Sequence, residues 1–167
     1  DPVAVRGPLA TRYVQQFLRN VAWGDVDFLI LDLPPGTGDI QLTIVQTAEL
    51  DGVVVVTTPQ EVALIDARKA IGLFERVETP ILGIIENMSY FQCPSDGKIY
   101  HIFGEGGGER EAAKLGVPLL GKIPLDISTR FGGDEGRPVA LEDPGQNPVS
   151  AAFRQVAEQC ARVVLDR

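Results

Sequence analysis

Asp32 is a carboxylate at the end of an apolar run, just ahead of the loop Pro34-Pro35-Gly36-Thr37-Gly38. A hard oxygen ligand in that place can hold a Mg²⁺-bound water while a nucleotide's phosphates supply further ligands. Gly36 and Gly38 let backbone N–H groups approach phosphate oxygens with no Cβ in the way. The plainer reading is a turn whose Asp bonds locally. Asn87 follows a second apolar run, and its carboxamide can both accept from adenine N6 and donate to N7. An Asn in such a place is otherwise a turn residue. Pro124 closes a later apolar run and can line a base pocket or simply stop a strand. Cys93-Pro94-Ser95-Asp96 has the form of a C-P-x-C metal motif with its second thiolate replaced by Asp96; one thiolate and one carboxylate can still ligate a metal, and a lone loop Cys is otherwise a plain thiol. The GEGGG run of Gly104 to Gly108 precedes a helical stretch and can cradle an anion, though it has no lysine. His101 has no partner at ligand spacing except Cys93, and Cys160 lies on an apolar helix stripe, so both read as structural.

The elements that would hold these residues follow from periodicity. Val26 to Leu31 reads as a strand buried on both faces, with Asp39 capping the next helix. Residues 8 to 22 read as an amphipathic helix on Val14, Phe17, Leu18 and Val21, and residues 39 to 50 as another. Gly52 to Thr58 is a strand, and residues 60 to 78 a helix with the inner stripe Leu64, Ala67, Ile71 and Phe74. Pro80 to Glu86 is a strand, residues 87 to 108 an irregular connection, Glu109 to Leu115 a short helix and Leu119 to Ile123 a strand. Residues 126 to 147 read as loop with about one helical turn. Asn147-Pro148 opens a last helix with Val149, Phe153, Val156 and Cys160 inward. Alternating buried strands and helices predict a parallel sheet covered on both faces, in one undivided domain.

Composition narrows the function classes. Twenty-three acidic residues against 15 basic give a net charge of −8. That is the wrong sign for a nucleic-acid surface or for docking to anionic lipid. No run reaches membrane-span length and no signal peptide opens the chain, so a cytoplasmic protein is expected. Two cysteines cannot make a disulfide scaffold. No nucleophile is paired in sequence with a base, so a hydrolase triad is not supported.

DLPPGTGD (Asp32–Asp39), TTPQEVAL (Thr57–Leu64), ENMSYFQCP (Glu86–Pro94), HIFGEGGG (His101–Gly108) and GKIPLD (Gly121–Asp126) together carry a resemblance. From Arg6-Gly7-Pro8 almost to its end the chain resembles the carboxyl-terminal two thirds of Mrp/ApbC iron–sulfur cluster carriers, of the MinD/ParA class of P-loop NTPases. The resemblance implies a three-layer α/β/α fold with a mainly parallel twisted sheet. It implies ATP and Mg²⁺ as cofactors, a homodimer, a 4Fe–4S cluster as cargo and apo iron–sulfur proteins as recipients, with no nucleic acid or membrane partner. Carried over by motif, Asp32 would sit in the Mg²⁺ shell and Gly36 would contact the γ-phosphate, with Thr37 beside it. Asn87 and Pro124 would hold adenine, and Cys93 would ligate a cluster bridging two copies. Two departures are visible. No G-K-[ST] phosphate loop occurs, which suggests a fragment lacking the amino-terminal strand and P-loop, and Asp96 replaces the second cysteine. ATP hydrolysis is therefore expected of a full-length form. The alternatives are a positioning or partitioning ATPase and a non-catalytic module that keeps the fold.

Overall fold

The computed structural model describes residues 7–34 and 38–166. Among the described residues three parallel strands form the main sheet, in the order β1-β2-β5: β1 (Val53–Thr57), β2 (Ile81–Glu86) and β5 (Leu119–Lys122). The central strand is β2. Val55 pairs with Ile84 across the first ladder and Ile85 with Gly121 across the second. Such strands need long crossovers, and helices supply them.

The helix α3 (Glu61–Arg76) joins β1 to β2, and its buried residues are Leu64, Ala67, Ile71 and Phe74, the stripe expected from the sequence. Ala67 and Ile71 pack with Val55, Ile84 and Ala112 into the core on that face. Ala112 comes from α4 (Gly107–Leu115). The last helix, α6 (Pro148–Leu165), covers β5, where Val156 lies so close to Gly121 that a Cβ there would stand 2.5 Å from its methyl carbon. The Asn147 side chain caps α6 by accepting from the N–H groups of Val149 and Ser150. Helices thus lie on both faces of a parallel sheet, and the fold class is the expected one.

Three expectations are corrected. Val26 to Leu31 is not a buried strand: it has no ladder partner among the described residues, Phe28 and Leu29 are exposed, and Ile30 is 87% exposed. An apolar run becomes a strand only where neighbouring strands take up its N–H and C=O groups. Residues 126–147 hold more than one turn, with α5 (Ile127–Asp134) and a 3₁₀ turn at Val139–Leu141. The Asp126 carboxylate accepts from Thr129 N–H at 3.0 Å and starts α5 in spite of its glycines. Asp39 is the first residue of α2 (Asp39–Thr47), and the cap position is Gly38. The helix α1 (Gly7–Asn20) packs on α2, with Val14 and Leu18 half-buried and Phe17 exposed. No described helix is long and apolar enough to cross a membrane.

One ion network joins α3 to α4. Arg68 donates twice to the buried Glu111 carboxylate, at 2.9 and 2.7 Å, and Lys114 donates a third bond at 2.7 Å. These bonds hold the Glu111 carboxyl down at about 2. A depressed carboxyl contributes stability that is complete above its ordinary value, near 4.5, and is lost as pH falls through about 2. Glu111→Gln is expected to lower stability at neutral pH by about 2 kcal/mol, since Arg68 keeps part of its surface in water. Urea titrations should show the deficit shrinking as pH falls below 4.5 and gone below about 2. A pH-independent deficit would contradict this role.

Candidate functional site

The loops that leave the carboxyl ends of the three strands are knitted together, which is where open α/β sheets bind ligands. Asn87 N–H donates to Thr57 O at 2.7 Å, tying the exit of β2 to the exit of β1. Ser89 N–H donates to Ile123 O at 2.9 Å and ties it to the exit of β5. Asn87 Oδ1 accepts from Met88 N–H at 2.9 Å, and Met88 has φ +50°. The turn role of this Asn is therefore real. It also fixes the carboxamide so that its NH₂ group is not the one spent on the turn.

Beside this turn lies a cavity of about 310 Å³. Its walls include Tyr90, Cys93, Pro124, Asp126 and Val149, and Asn87 is not among them. Two of the residues singled out from the sequence, Cys93 and Pro124, therefore share one cavity, while Asn87 stands at the adjoining strand end. Asp32 is exposed and precedes the described start of α2 by a few residues. Gly36 and Thr37 lie outside the described residues. No side chain caps α2 at Gly38, so its first N–H groups are not taken by a side-chain cap there.

The connection 87–108 has structure that its sequence hid. β3 (Phe91–Gln92) and β4 (Ile99–Tyr100) pair antiparallel as a hairpin. Cys93 sits at its tip, donating N–H to Lys98 O at 2.9 Å and accepting at its own carbonyl from Gly97 N–H at 2.8 Å. The Cys93 thiol lies 3.0 Å from the Ser95 hydroxyl. That contact, with nearby backbone N–H groups, lowers the thiol's pKa and favours thiolate, the form that ligates metals. Asp96 accepts from Lys98 N–H at 3.0 Å and is held below the usual carboxylate range chiefly by that bond. Cys160, on α6, is pushed up by burial. Among the described residues, no group of three or more His, Cys, Asp and Glu is gathered to hold a metal ion.

The glycine run has a different use from the one expected. Its helix N-terminus already has an anion, because Gly108 N–H donates at 2.7 Å to the carboxylate of Glu86, which is fully buried. Gly107 faces Pro59, where a Cβ would stand 2.3 Å from the Pro59 carbonyl oxygen. Gly106 takes the left-handed conformation (φ +66°) at the helix cap. The run is glycine for close packing against the β1 exit, and Glu86 occupies the place of an external anion. Glu86 reads in the sequence only as a charge at a strand's end.

Comparison with known proteins shows the family. Residues 1–161 match the family model described as ParA: NUBPL iron-transfer P-loop NTPase. The iron-sulfur cluster carrier protein of Pyrococcus furiosus is 49% identical over 159 residues, 95% of this chain and 53% of that protein. The mitochondrial iron-sulfur protein required for NADH dehydrogenase of Arabidopsis thaliana is 46% identical over 161 residues, 96% of this chain and 51% of its own. The chain thus spans about half the length of the curated relatives it matches. Among solved structures, a nucleotide-binding protein from Archaeoglobus fulgidus in complex with ADP aligns with a TM-score of 0.70 at 43% identity, over 77% of this chain and 53% of its own. The cell division ATPase MinD of Pyrococcus furiosus, at 24% identity and a TM-score of 0.67, covers 92% of this chain and 59% of its own and shares the fold.

Proposed function

The chain belongs to the ParA family of NUBPL iron-transfer P-loop NTPases, and from that membership we propose that it is part of an ATP-binding iron–sulfur cluster carrier. The observation that carries the reading is the shared edge: Asn87, Pro124 and the Cys93 hairpin meet where the parallel strands end. The ADP complex of the Archaeoglobus relative and the carrier names of the Pyrococcus and Arabidopsis relatives support it.

The residues present suit the base and the metal shell more than the phosphates. Asn87 offers an NH₂ group that the turn does not use, and Pro124 gives an apolar wall. Asp32 is an accessible carboxylate that can hold a Mg²⁺-bound water, and Mg²⁺ would supply charge neutralisation at the γ-phosphate. By the family resemblance Gly36 and Thr37 would join it as phosphate contacts, and the start of α2, which has no side-chain cap at Gly38, would add backbone donors. The principal phosphate ligands, a lysine and its glycine loop, would come from a segment upstream. Hydrolysis of ATP in the complete protein would then switch a homodimer between states. The cluster is cargo, taken up at Cys93 and passed to apo iron–sulfur proteins.

Anaerobic reconstitution with iron and sulfide tests the reading. Iron–sulfur absorbance that depends on Cys93 supports a carrier. A protein that binds nucleotide yet takes up no cluster, even with a second thiol in the loop, would be a nucleotide switch of another kind. Asp32 has its own test. In a form bearing the lysine loop, Asp32→Asn is expected to lower ATP turnover by about tenfold or more, because it removes charge beside Mg²⁺ at constant volume. Wild-type turnover at saturating Mg²⁺ would remove Asp32 from the mechanism.

A further inference from the structure

Both ends of the segment that carries Cys93 hang from one side chain. Glu86 is the last residue of the central strand, and none of its surface is exposed. Ser89 Oγ–H donates to its Oε1 at 2.5 Å, and Gly108 N–H donates to its Oε2 at 2.7 Å. Ser89 is the residue before residues 90–107 and Gly108 the residue after them. Between the two lie β3, the Cys93 loop and β4. The same residue's carbonyl accepts from Ile123 N–H at 2.9 Å, and its neighbour Asn87 is bonded to Thr57 O.

The hairpin cannot hold its own position. Two strands of two residues are too little to be stable alone. Ile99 and Tyr100 are exposed, so β4 is the outer strand of the hairpin. Its described attachments to the body include the Phe91–Leu125 bridge, with Leu125 N–H donating to Tyr90 O at 2.7 Å, the Ser89 N–H bond to Ile123 O, and the two side-chain bonds of Glu86 at the roots. A buried carboxylate is costly unless donors satisfy it, and here they are the two roots. Clamp and carboxylate therefore need each other.

We propose that Glu86 is a positioning residue for Cys93: one buried carboxylate fastens both roots of the thiol-bearing segment to the strand end that also carries Asn87. The role rests on the carrier reading, in which Cys93 is a metal ligand. It gives that site a mechanical link to the base turn, because a shift of residues 87–89 moves one root of the hairpin.

Amide hydrogen exchange on the chain itself, with no nucleotide or iron, tests the clamp. The comparison is wild type, Glu86→Gln, Glu86→Ala and Ser89→Ala. Glutamine keeps an acceptor for Gly108 N–H and an NH₂ donor for Ser89 Oγ. Both alanine variants are expected to speed exchange at Cys93 and Gly97 by about tenfold relative to the core amides of β2, with Glu86→Gln within about threefold of wild type. A general loss of stability would speed hairpin and core alike and would not be rescued by glutamine. Hairpin amides within about twofold of wild type in the alanine variants, or glutamine as fast as alanine, overturn the proposal. If Glu86→Ala fails to fold, Ser89→Ala, which removes the Ser89–Glu86 bond and leaves Ser89 N–H on Ile123 O, decides. A failed exchange result leaves the carrier reading intact. A failed reconstitution beside a positive exchange result removes the carrier reading and leaves the clamp.

Discussion

Cys93→Ala is expected to leave the protein with no iron–sulfur cluster after anaerobic reconstitution and desalting, while Asp96→Cys is expected to raise occupancy above wild type. The reason is ligand chemistry. A cluster shared by a two-fold dimer draws the same residues from each copy. Each copy offers one loop thiol, Cys93, already biased toward thiolate by Ser95 and backbone N–H groups. The second position in the loop is Asp96, a harder ligand that suits iron–sulfur chemistry less well. Its carboxylate is moreover engaged by Lys98 N–H, with the Lys98 ammonium 3.5 Å away. The wild-type cluster should therefore be labile or absent, and a second thiolate should hold it. Cys160→Ala should change nothing, because Cys160 lies on the packed side of α6 with its thiol pushed up by burial. Cluster occupancy per chain is the measurement. No gain with Asp96→Cys, or a wild-type cluster that survives Cys93→Ala, would place the cluster elsewhere or nowhere.

How far the sequence could be read depended on where the stabilising contacts lie. The stripe Leu64, Ala67, Ile71 and Phe74 was legible because a helix on a sheet must bury one face at helical spacing. The start of α6 was legible because Asn147 and Pro148 act locally as cap and first-turn residue. The β3–β4 hairpin was not. Its strands are two residues long, and its position depends on Glu86, a residue from an earlier strand. α5 was hidden by Gly132 and Gly133, although the Asp126 cap was a signal that could have revealed it. Val26 to Leu31 shows the opposite failure. Its composition is that of a strand, yet strand pairing is a property of neighbours, and none of the described strands is bonded to it. For the candidate site, Asn87 and Pro124 stood out as residues closing apolar runs and Cys93 by its C-P-x-C form, and the structure sets Pro124 and Cys93 on one cavity with Asn87 at the adjoining strand end. Glu86 was missed because burial of a charge is decided by its donors.

The second large effect concerns ATP. The residues proposed to face the base, Asn87 and Pro124, and the proposed Mg²⁺-shell residue Asp32 are in this chain, but no G-K-[ST] is. A lysine loop supplies most phosphate ligands in a P-loop site, through backbone N–H groups and one ammonium. The α4 N-terminus cannot substitute for it, because the Glu86 carboxylate already fills that place. Base contacts alone leave a triphosphate's charge to water. Affinity should therefore differ by orders of magnitude between this chain and a form carrying the lysine loop upstream. Calorimetric titration of both with Mg-ATP is the most direct measurement of the central claim, that this chain is the base- and cluster-bearing part of an ATP-driven carrier. The predicted result is tight binding by the longer form and far weaker binding by this chain. Equal micromolar affinity for the two, or no binding by either, would contradict it.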